Sequence, residues 1–409
     1  MNLKSIFTLF TCLILSCPTL VSAQEGQAFK GSYEECLTQA KKENKLILID
    51  LYFAGCMPCA EMDKQTFPDP AVVHELQSNY ILFKTDVLKE MDGKKLARKY
   101  GAPGFPTYVI VNGDGKTLLM ESGFFATNNF VPLLQKAVQL NTSGQLLAFN
   151  SLLDNTYPPA YSERFIKTAQ KHDFAELKGY LEQQSDLYNE VAIVANSVTS
   201  FPEYNNWTYD NLPTILNMYG GNLMRNKLST IARIKSKEFG KEQQLDSFQN
   251  MLNYIRPTFN NKLWDVYLPI FATSYYTGSK NAAIYFKLIE QYDLYPTWDL
   301  RSNALGQVII DQAQKPEVLK SILSEYMTEQ HNKDFDVIDS YRLTLLYSYL
   351  GEYTKASKIA QDLLKVDFSA PGLALKKEDV LELKKAIDKK NIRLYDAKNI
   401  QKTIPFSLS

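Results

Sequence analysis

The pattern of apolar and polar positions changes at about residue 140 and divides the chain into two parts. In the first part, helix and strand patterns alternate in the order α-β-α-α-β-α-β-β-α. The apolar run from Leu46 to Phe53 is broken by one acid and predicts a fully buried strand. Ser32 and Glu35 form a capping box at the start of the preceding helix. The alternation predicts an α/β fold with a mixed sheet flanked by helices.

Turn residues and helical periodicity place the other elements of the first part. Asn112-Gly113-Asp114-Gly115 is a strong hairpin turn between two short apolar runs. The remaining predicted strands are Ile81 to Phe83, Thr107 to Val111 and Lys116 to Met120. The remaining predicted helices are Met57 to Thr66, Ala71 to Ser78, Lys94 to Tyr100 and Phe130 to Leu140.

The second part is helical in pattern almost throughout, so we expect an all-α domain. Leucine and tyrosine supply most of its apolar positions, and proline and glycine separate the helices. Its clearest helical patterns are Tyr161 to Lys171, Asn211 to Lys235, Ala282 to Gln291 and Tyr341 to Lys365.

One stretch of the second part suggests helical-hairpin repeats. Tyr347, Gly351, Tyr353 and Ala356 fit the spacing of a tetratricopeptide unit, which repeats at about 34 residues. Gly278 lies in a second stretch that matches the same spacing less closely. Because no clean period emerges, we describe this domain only as tetratricopeptide-like.

The first 23 residues have the order of charged, apolar and small residues that is typical of an export signal. Lys4 precedes an apolar run from Ile6 to Leu15, and small residues end the segment at Ala23. Alternatively, the stretch ending in Cys17 resembles a bacterial lipobox, and Cys17 would then carry a lipid anchor. We favour cleavage after Ala23 because apolar residues continue past Cys17. Both interpretations predict an exported, periplasmic-type location, where dithiols can be oxidised.

These patterns together predict a domain organisation. We expect a signal peptide at residues 1–23, an α/β domain at 24–142, a linker at 143–160 and an all-α domain at 161–409.

The charge balance and the cysteine content argue against two classes of protein. Lysine and arginine total 45, aspartate and glutamate total 45, and the formal net charge is zero. The basic surface expected of a nucleic-acid-binding protein is therefore not indicated. Five cysteines are too few for a scaffold held by disulfides.

Two of those cysteines form a C-x-x-C motif, Cys56-Met57-Pro58-Cys59, where the buried strand ends and a helix begins. Such a motif also occurs as half of a zinc site, but zinc needs further ligands. The chain has no second C-x-x-C motif and no paired histidines, so we expect no metal. Cys36 lies on the core face of its predicted helix and is interpreted as a packing thiol, with a third redox cysteine as the alternative.

The position of the motif favours redox chemistry. The N-terminus of a helix stabilises an anion, so the Cys56 thiolate should be favoured there. Lowering a thiol pKa from about 8.5 to near 7 raises the thiolate fraction at neutral pH roughly fifteenfold. Cys59 lies one turn later and can attack Cys56 sulfur to resolve a mixed disulfide. Pro58 suits the helix start because it loses no bonded N–H there.

Residues 30–140 resemble the thioredoxin family. The resemblance rests on the C-x-P-C motif, on Asp50 six residues before it, on Gly104-Phe105-Pro106-Thr107 before a strand, and on Gly123 after the hairpin. Lys84 also fits a lysine that pairs with the buried acid in many thioredoxins. The Pro68-Asp69-Pro70 loop and the extended N-terminal helix look more like the exported, interchange-reductase-like branch than like cytosolic thioredoxin.

The resemblance implies roles for these residues. Asp50 would shuttle protons for the resolving Cys59, unless it simply faces water. Phe105 and Pro106 would bind substrate through a cis peptide bond that leaves backbone groups free to pair with it. An ordinary trans turn is the alternative.

Met57 and Pro58 would also contact substrate. Two departures from the family pattern are Gly55, in place of the usual tryptophan, and Met57, in place of the usual glycine. Gly55 should open the rim of the site, and the inner residues of the motif influence its redox potential.

We therefore expect an exported thiol–disulfide oxidoreductase with no cofactor beyond its own cysteine pair. Its partners would be disulfide-containing protein clients and an upstream thiol electron donor, with a membrane-bound donor as one option. Proline beside the second cysteine favours the reductive direction. The rival hypothesis is a non-catalytic binding or scaffold protein of the cell envelope, in which the helical part is functional and the α/β domain only docks.

Overall fold

The fold is seen in a computed structural model, which describes residues 28–153, 156–163, 174–330, 334–369 and 372–404. The predicted export segment, with Cys17, lies outside the described residues. Among those that are described, no helix is both long enough and apolar enough to cross a membrane.

Across its described residues, from 28 onward, the first part contains five α-helices and four strands. In chain order these are α1 (Tyr33–Glu43), β1 (Leu46–Tyr52), α2 (Met57–Glu61), α3 (Pro70–Asn79), β2 (Tyr80–Asp86), α4 (Met91–Lys99), β3 (Thr107–Val111), β4 (Thr117–Ser122) and α5 (Thr127–Thr142).

The second part is all-helical across its described residues. Its α-helices are α6 (Pro159–Ser162), α7 (Phe174–Glu182), α8 (Glu190–Ser197), α9 (Pro202–Asp210), α10 (Leu212–Tyr219), α11 (Gly221–Lys241), α12 (Leu245–Ile255), α13 (Asn261–Ser279), α14 (Ala282–Tyr292), α15 (Trp298–Asp311), α16 (Pro316–Gln330), α17 (Val337–Tyr349), α18 (Tyr353–Leu363) and α19 (Lys377–Asp388). Short 3₁₀ turns occur at Arg256–Thr258 and Ile392–Leu394.

The four strands form one mixed sheet in the order β2-β1-β3-β4. Strands β1 and β2 are parallel, whereas β1–β3 and β3–β4 are antiparallel. Alternate side chains of β1 point to opposite faces of the sheet. Ile47, Ile49 and Leu51 join one apolar core, and Leu46 and Leu48 join another on the opposite face. The predicted fold class, a mixed sheet flanked by helices followed by an all-α part, is confirmed.

The helix predicted from Met57 to Thr66 is not a single α-helix. After α2 the chain continues as a π-helix from Met62 to Thr66. The Phe67 N–H donates to the Met62 carbonyl at 2.9 Å, five residues back, which is the hydrogen-bonding pattern of a π-turn. Apolar periodicity does not reveal this change, because it marks only which face of a helix is buried.

Two long helices predicted for the second part are each divided by a glycine. The pattern from Asn211 to Lys235 becomes α10 and α11, separated at Gly220, and the pattern from Tyr341 to Lys365 becomes α17 and α18 around Gly351. These glycines have φ of 73° and 77°, and a positive φ ends a right-handed helix. The predicted helical hairpin at Gly351 is present, but its assignment to a tetratricopeptide-type repeat stays a prediction.

The helix predicted from Tyr161 to Lys171 falls mostly outside the described residues. A short helix, α6, ends at Ser162, and residues 164–173 are not among those described.

The segment between the two parts, residues 143–160, packs against both of them. Phe149 is buried, with ring centroids 5.0 Å from Tyr100 of α4's C-terminal end and 5.0 Å from Tyr219 of α10. One apolar core continues from the sheet into the helices. The predicted domain boundaries stay predictions, but the described part of this segment is a packed connection.

Candidate active site

Cys56 and Cys59 form a disulfide where β1 gives way to α2. The two sulfurs are 2.04 Å apart and the Cα atoms 5.3 Å apart. Cys56 is the N-cap of α2, and the Cys59 backbone N–H lies 3.3 Å from Cys56 Sγ. Pro58 stands in the first turn, where an N–H would have no helical partner. This geometry directs a backbone N–H at the first cysteine, as the sequence predicts.

Side-chain burial does not distinguish the two cysteines. Cys56 is 5% exposed and Cys59 is 6% exposed. Met57, between them, is 62% exposed. A Cβ atom added to Gly55 would meet no atom within 4 Å, so the rim is open on that side. The position of Cys56 at the helix start, rather than its exposure, is therefore what sets it apart from Cys59.

Asp50 and Lys84 are neighbours on adjacent parallel strands. Their Cα atoms pair in the register of β1 and β2, so both side chains lie on one face of the sheet. Lys84 Nζ lies 3.2 Å from Asp50 Oδ2 and also contacts the Asp63 carboxylate. The same ammonium lies 4.9 Å from the centre of the Phe67 ring. The structure thus brings Asp50 and Lys84 together and adds Asp63, which the sequence did not suggest.

The Asp50 carboxyl is buried on the sheet face that carries the dithiol helix. It shares the face of Leu48, whose core includes Met62 of the π-helix. Asp50 is 2% exposed, and its Oδ1 has no hydrogen-bond partner among the described residues. Burial raises the pKa of Asp50 to about 6, against the opposing effect of Lys84. An acid with this pKa can take up and release a proton near neutral pH.

The Phe105–Pro106 peptide bond is cis. The Pro106 carbonyl accepts from the Gly123 N–H at 2.8 Å, and Thr107 Oγ1 donates to the Gly104 carbonyl at 2.6 Å.

The Phe105 ring lies next to the dithiol loop. Its centroid is 5.6 Å from that of Phe53, in an edge-to-face arrangement, and the Phe53 carbonyl accepts from the Cys56 N–H at 3.1 Å. The sequence-predicted proline loop therefore contacts, through its Phe105 ring, the residue whose carbonyl binds the Cys56 N–H.

Cys36 is separate from this site. It is fully buried and unpaired, and it belongs to the core shared by the sheet and the helices. Burial raises the pKa of the Cys36 thiol to about 12, which keeps it protonated at neutral pH. The geometry fits a packing thiol.

An acidic cluster that the sequence did not suggest lies in the helical part. Asp299, Asp336 and Asp339 converge, but Lys402 Nζ lies among them at 2.8, 2.9 and 2.5 Å. The ammonium already lies where a metal ion would bind and offsets part of the negative charge, so a metal ion would first have to displace Lys402. The four residues are too far apart in the chain for their spacing to predict the cluster.

Sequence reasoning also missed a cavity beside Phe105, because its other wall comes from the helical part. Asn226 Nδ2 of α11 donates to the Pro103 carbonyl at 2.9 Å, and Lys227 lines the cavity. More than a hundred residues separate these partners, and no local pattern in the sequence indicates such a contact.

Comparison with known proteins finds similarity to the first part of the chain. Residues 33–138 match the family model described as a thioredoxin-like domain. The thiol:disulfide interchange protein DsbD of Pasteurella multocida is 29% identical over 109 residues, which cover 26% of this chain and 19% of that protein. The DsbD of Pectobacterium atrosepticum is 34% identical over 98 residues, covering 23% of this chain and 17% of that protein. The chain therefore spans less than a fifth of these curated relatives.

Two solved structures are similar to the same part. A structure titled DsbH oxidoreductase has 21% identity and a TM-score of 0.25, covering 28% of this chain and 86% of that chain. A thioredoxin from Thermus thermophilus has 24% identity and a TM-score of 0.22, covering 27% of this chain and 85% of that chain. The family model does not extend into the helical part.

Proposed function

We propose that this protein is an exported thiol–disulfide oxidoreductase that reduces or exchanges disulfides of protein clients. The observation that carries the proposal is the Cys56–Cys59 disulfide at a helix start. The paired Asp50 and Lys84 and the similarity to interchange proteins support it. Export is supported by the pattern of residues 1–23, with a lipid anchor at Cys17 as the alternative.

The reductive cycle begins with both cysteines reduced. The Cys56 thiolate attacks one sulfur of a client disulfide, that bond breaks, and the other client sulfur leaves as a thiolate. The Cys59 thiol gives its proton to Asp50, and its thiolate attacks Cys56 sulfur. The bond between Cys56 and the client breaks, the Cys56–Cys59 disulfide forms, and the client leaves reduced by two electrons. An upstream thiol donor restores those two electrons.

The loop around Phe105 and Pro106 would hold the client beside the dithiol. Met57 is exposed next to the two sulfurs and would contact the client as well. Lys84 would act on Asp50 rather than on the client, because its ammonium lies between two carboxylates. The helical part would select or hold the client.

The roles of the two cysteines can be separated by trapping. In Cys59→Ser, the mixed disulfide at Cys56 forms but is not resolved, so client proteins should remain covalently attached. In Cys56→Ser, the attacking sulfur is gone, and no such adducts should accumulate. Non-reducing electrophoresis and mass spectrometry of the adducts measure both outcomes. Equal trapping by the two variants, or none by either, would contradict the assigned roles.

The proposal also predicts chemistry with a small neutral disulfide. The pre-reduced chain should reduce bis(2-hydroxyethyl) disulfide in a single turnover and form its own Cys56–Cys59 disulfide in return. A chain that forms this disulfide but reduces no substrate would instead be a binding protein. The reduction potential of the pair, measured against a thiol buffer, tests the reductive direction.

A further inference from the structure

A cavity of about 340 Å³ lies beside Phe105, between the thioredoxin-like domain and the helices. We call it the Phe105 cavity. Its volume is within the range of about 300–1,000 Å³ that is usual for ligand pockets. Its walls include Phe105 and Ala102 on one side and Val198, Leu223, Lys227 and Thr230 on the other.

Lys227 is the charged residue among those that line the cavity. It projects from α11 and is only 3% exposed. Its Nζ donates to the Thr199 carbonyl at 3.0 Å and lies 3.4 Å from Thr199 Oγ1. An ammonium has three N–H donors, so one N–H of Lys227 is not used by these two contacts.

This ammonium is buried without a direct counter-ion. In the described ranges, no carboxylate makes an ion pair with Lys227; Glu203 acts on it only from a distance and is itself paired with Lys178 at 3.1 Å. Burial lowers the pKa of Lys227 to about 7. A buried charge that lacks a partner is unfavourable, so an anion entering the cavity would relieve that penalty.

One side chain, Phe105, borders both the cavity and the segment that leads into the dithiol. Phe105 contributes to the cavity wall and also contacts Phe53, whose carbonyl accepts from the Cys56 N–H. Leu88, another lining residue, is 46% exposed at the rim. A chain bound at the dithiol along the Phe105 loop would therefore pass the mouth of the cavity.

We infer that the Phe105 cavity binds the client segment that flanks the reacting cysteine, taking up an apolar side chain and placing a neighbouring carboxylate against Lys227. The inference rests on the proposed function and adds a substrate class to it, namely acidic client segments. The apolar walls account for the first preference and the buried ammonium for the second. The position of Phe105 between the cavity and the segment that leads into the dithiol favours a client over an unrelated ligand.

The test compares three disulfides in single turnovers of the pre-reduced full chain. Two are fluorogenic peptides that differ only in Glu or Gln two residues from the disulfide cysteine, beside a leucine, and the third is bis(2-hydroxyethyl) disulfide. A hydrogen bond between charged groups in a buried site supports a preference of about tenfold in the second-order rate constant for the Glu peptide. The small disulfide reports the chemistry alone.

Lys227→Met tests the charge. It keeps a long apolar stem but removes the ammonium, so the preference for the Glu peptide should fall to about onefold while the small disulfide reacts unchanged. Lys237→Met is the matched control. It removes the same charge from an exposed position of α11, ten residues or about 15 Å further along, and should retain the preference. A preference that survives Lys227→Met, or that Lys237→Met also abolishes, would overturn the inference.

Thr230→Phe provides a second variant that does not alter the buried charge. Thr230 is half-buried on α11 and lines the cavity, so a ring there should fill the mouth. Both peptides should then react at least several-fold more slowly, with the small disulfide unaffected. Unchanged peptide rates would contradict a binding role for the cavity. If no disulfide is reduced by the unaltered chain, the proposed function itself fails and the inference falls with it.

Discussion

Asp50 is the side chain whose behaviour depends most on its surroundings. Its apolar neighbours in β1 predict that it is buried, and the structure buries it beside Lys84. A carboxyl group in such a place is easier to protonate than one in water, because burial disfavours the charge more than the ammonium restores it. Burial of the Asp50 carboxyl therefore has two consequences. It lets the group exchange protons near neutral pH, and it lowers the free energy of unfolding of the protein.

Replacing Asp50 by asparagine should therefore stabilise the oxidised protein at pH 7.5. The pKa of Asp50 is about 6 in the folded state and 3.8 without the fold, so the folded state holds more protons between these values. The free energy of unfolding must fall as pH rises through this window, and it stays lowered above pH 6. Since one pKa unit corresponds to about 1.4 kcal/mol, the gain in Asp50→Asn should be on the order of 1–3 kcal/mol. Urea unfolding at pH 7.5 and at pH 3.5 measures it, and the difference should vanish at the lower pH.

Asp63→Asn is the matched control. It removes the same charge and a contact with the same Lys84, but its carboxylate is half exposed. Because Asp63→Asn keeps the buried Asp50, its free energy of unfolding should still fall between pH 3.5 and pH 7.5, as in the unaltered protein. Asp50→Asn should lose that pH dependence and should also slow the release of the second client thiol. A destabilised Asp50→Asn at pH 7.5 would show that the ion pair outweighs the burial of the charge.

Helices α11 and α13 show how close two elements of the helical part approach. A Cβ on Gly240 would lie 2.1 Å from the Tyr275 carbonyl oxygen, and one on Gly278 would lie 2.1 Å from the Lys237 carbonyl oxygen. Each glycine thus faces the backbone of the other helix. In the sequence, Gly278 was noted only as part of a weak match to a repeat. In the structure, its missing side chain allows α13 to pack closely against α11.

Gly240→Ala should destabilise the protein by about 2–3 kcal/mol, because the backbone atoms it meets cannot move as a side chain could. Thermal or urea unfolding measures the loss. Gly179→Ala in α7 is the control, since a Cβ there meets nothing within 4 Å. In α7 the higher helix propensity of alanine should stabilise the protein by about 0.5–1 kcal/mol. A neutral Gly240→Ala would mean that the two helices can separate at little cost.

The two parts of the chain are joined by a buried ion pair as well as by apolar contacts. Lys99 of α4 and Glu190 of α8 lie 2.6 Å apart, Nζ to Oε1, and both are nearly inaccessible to solvent. Glu190 also accepts from the Asn150 N–H at 2.6 Å, so the pair holds the connecting segment too. Such a pair contributes less to stability than the loss on removing one partner would suggest, because both charged groups lose their hydration when the pair is buried.

Lys99→Met should cost about 3–5 kcal/mol, because it breaks the buried ion pair by removing one of its two charges. The double variant Lys99→Met with Glu190→Gln should recover much of that loss, since both charges of the pair are then absent. Urea unfolding gives the free energies and the m-value, and an unchanged m-value would show that both parts still unfold together. A double variant no more stable than the single one would argue against this account.

Local patterns predicted most of the thioredoxin-like domain. The capping box at Ser32 and Glu35, the buried strand β1 and the hairpin before β4 all form as expected. These features depend on residues close together in the chain, where capping, alternation and turn geometry act directly. The π-helix after α2 and the break at Gly220 were missed, since apolar periodicity runs through them.

The sequence alone was sufficient for the dithiol, its position at a helix start, and the burial of Asp50 in a strand, because each follows from neighbours a few residues away. The contacts between residues distant in the chain depend on the tertiary structure. The Asp63 contact with Lys84, the burial of Lys227 beside Phe105 and the Lys99–Glu190 pair join residues between 21 and more than 100 positions apart. Such contacts arise only when separate elements pack together and exclude water from the groups between them. That exclusion gives Lys227 and Asp50 electrostatic properties that the same residues would lack in an exposed chain.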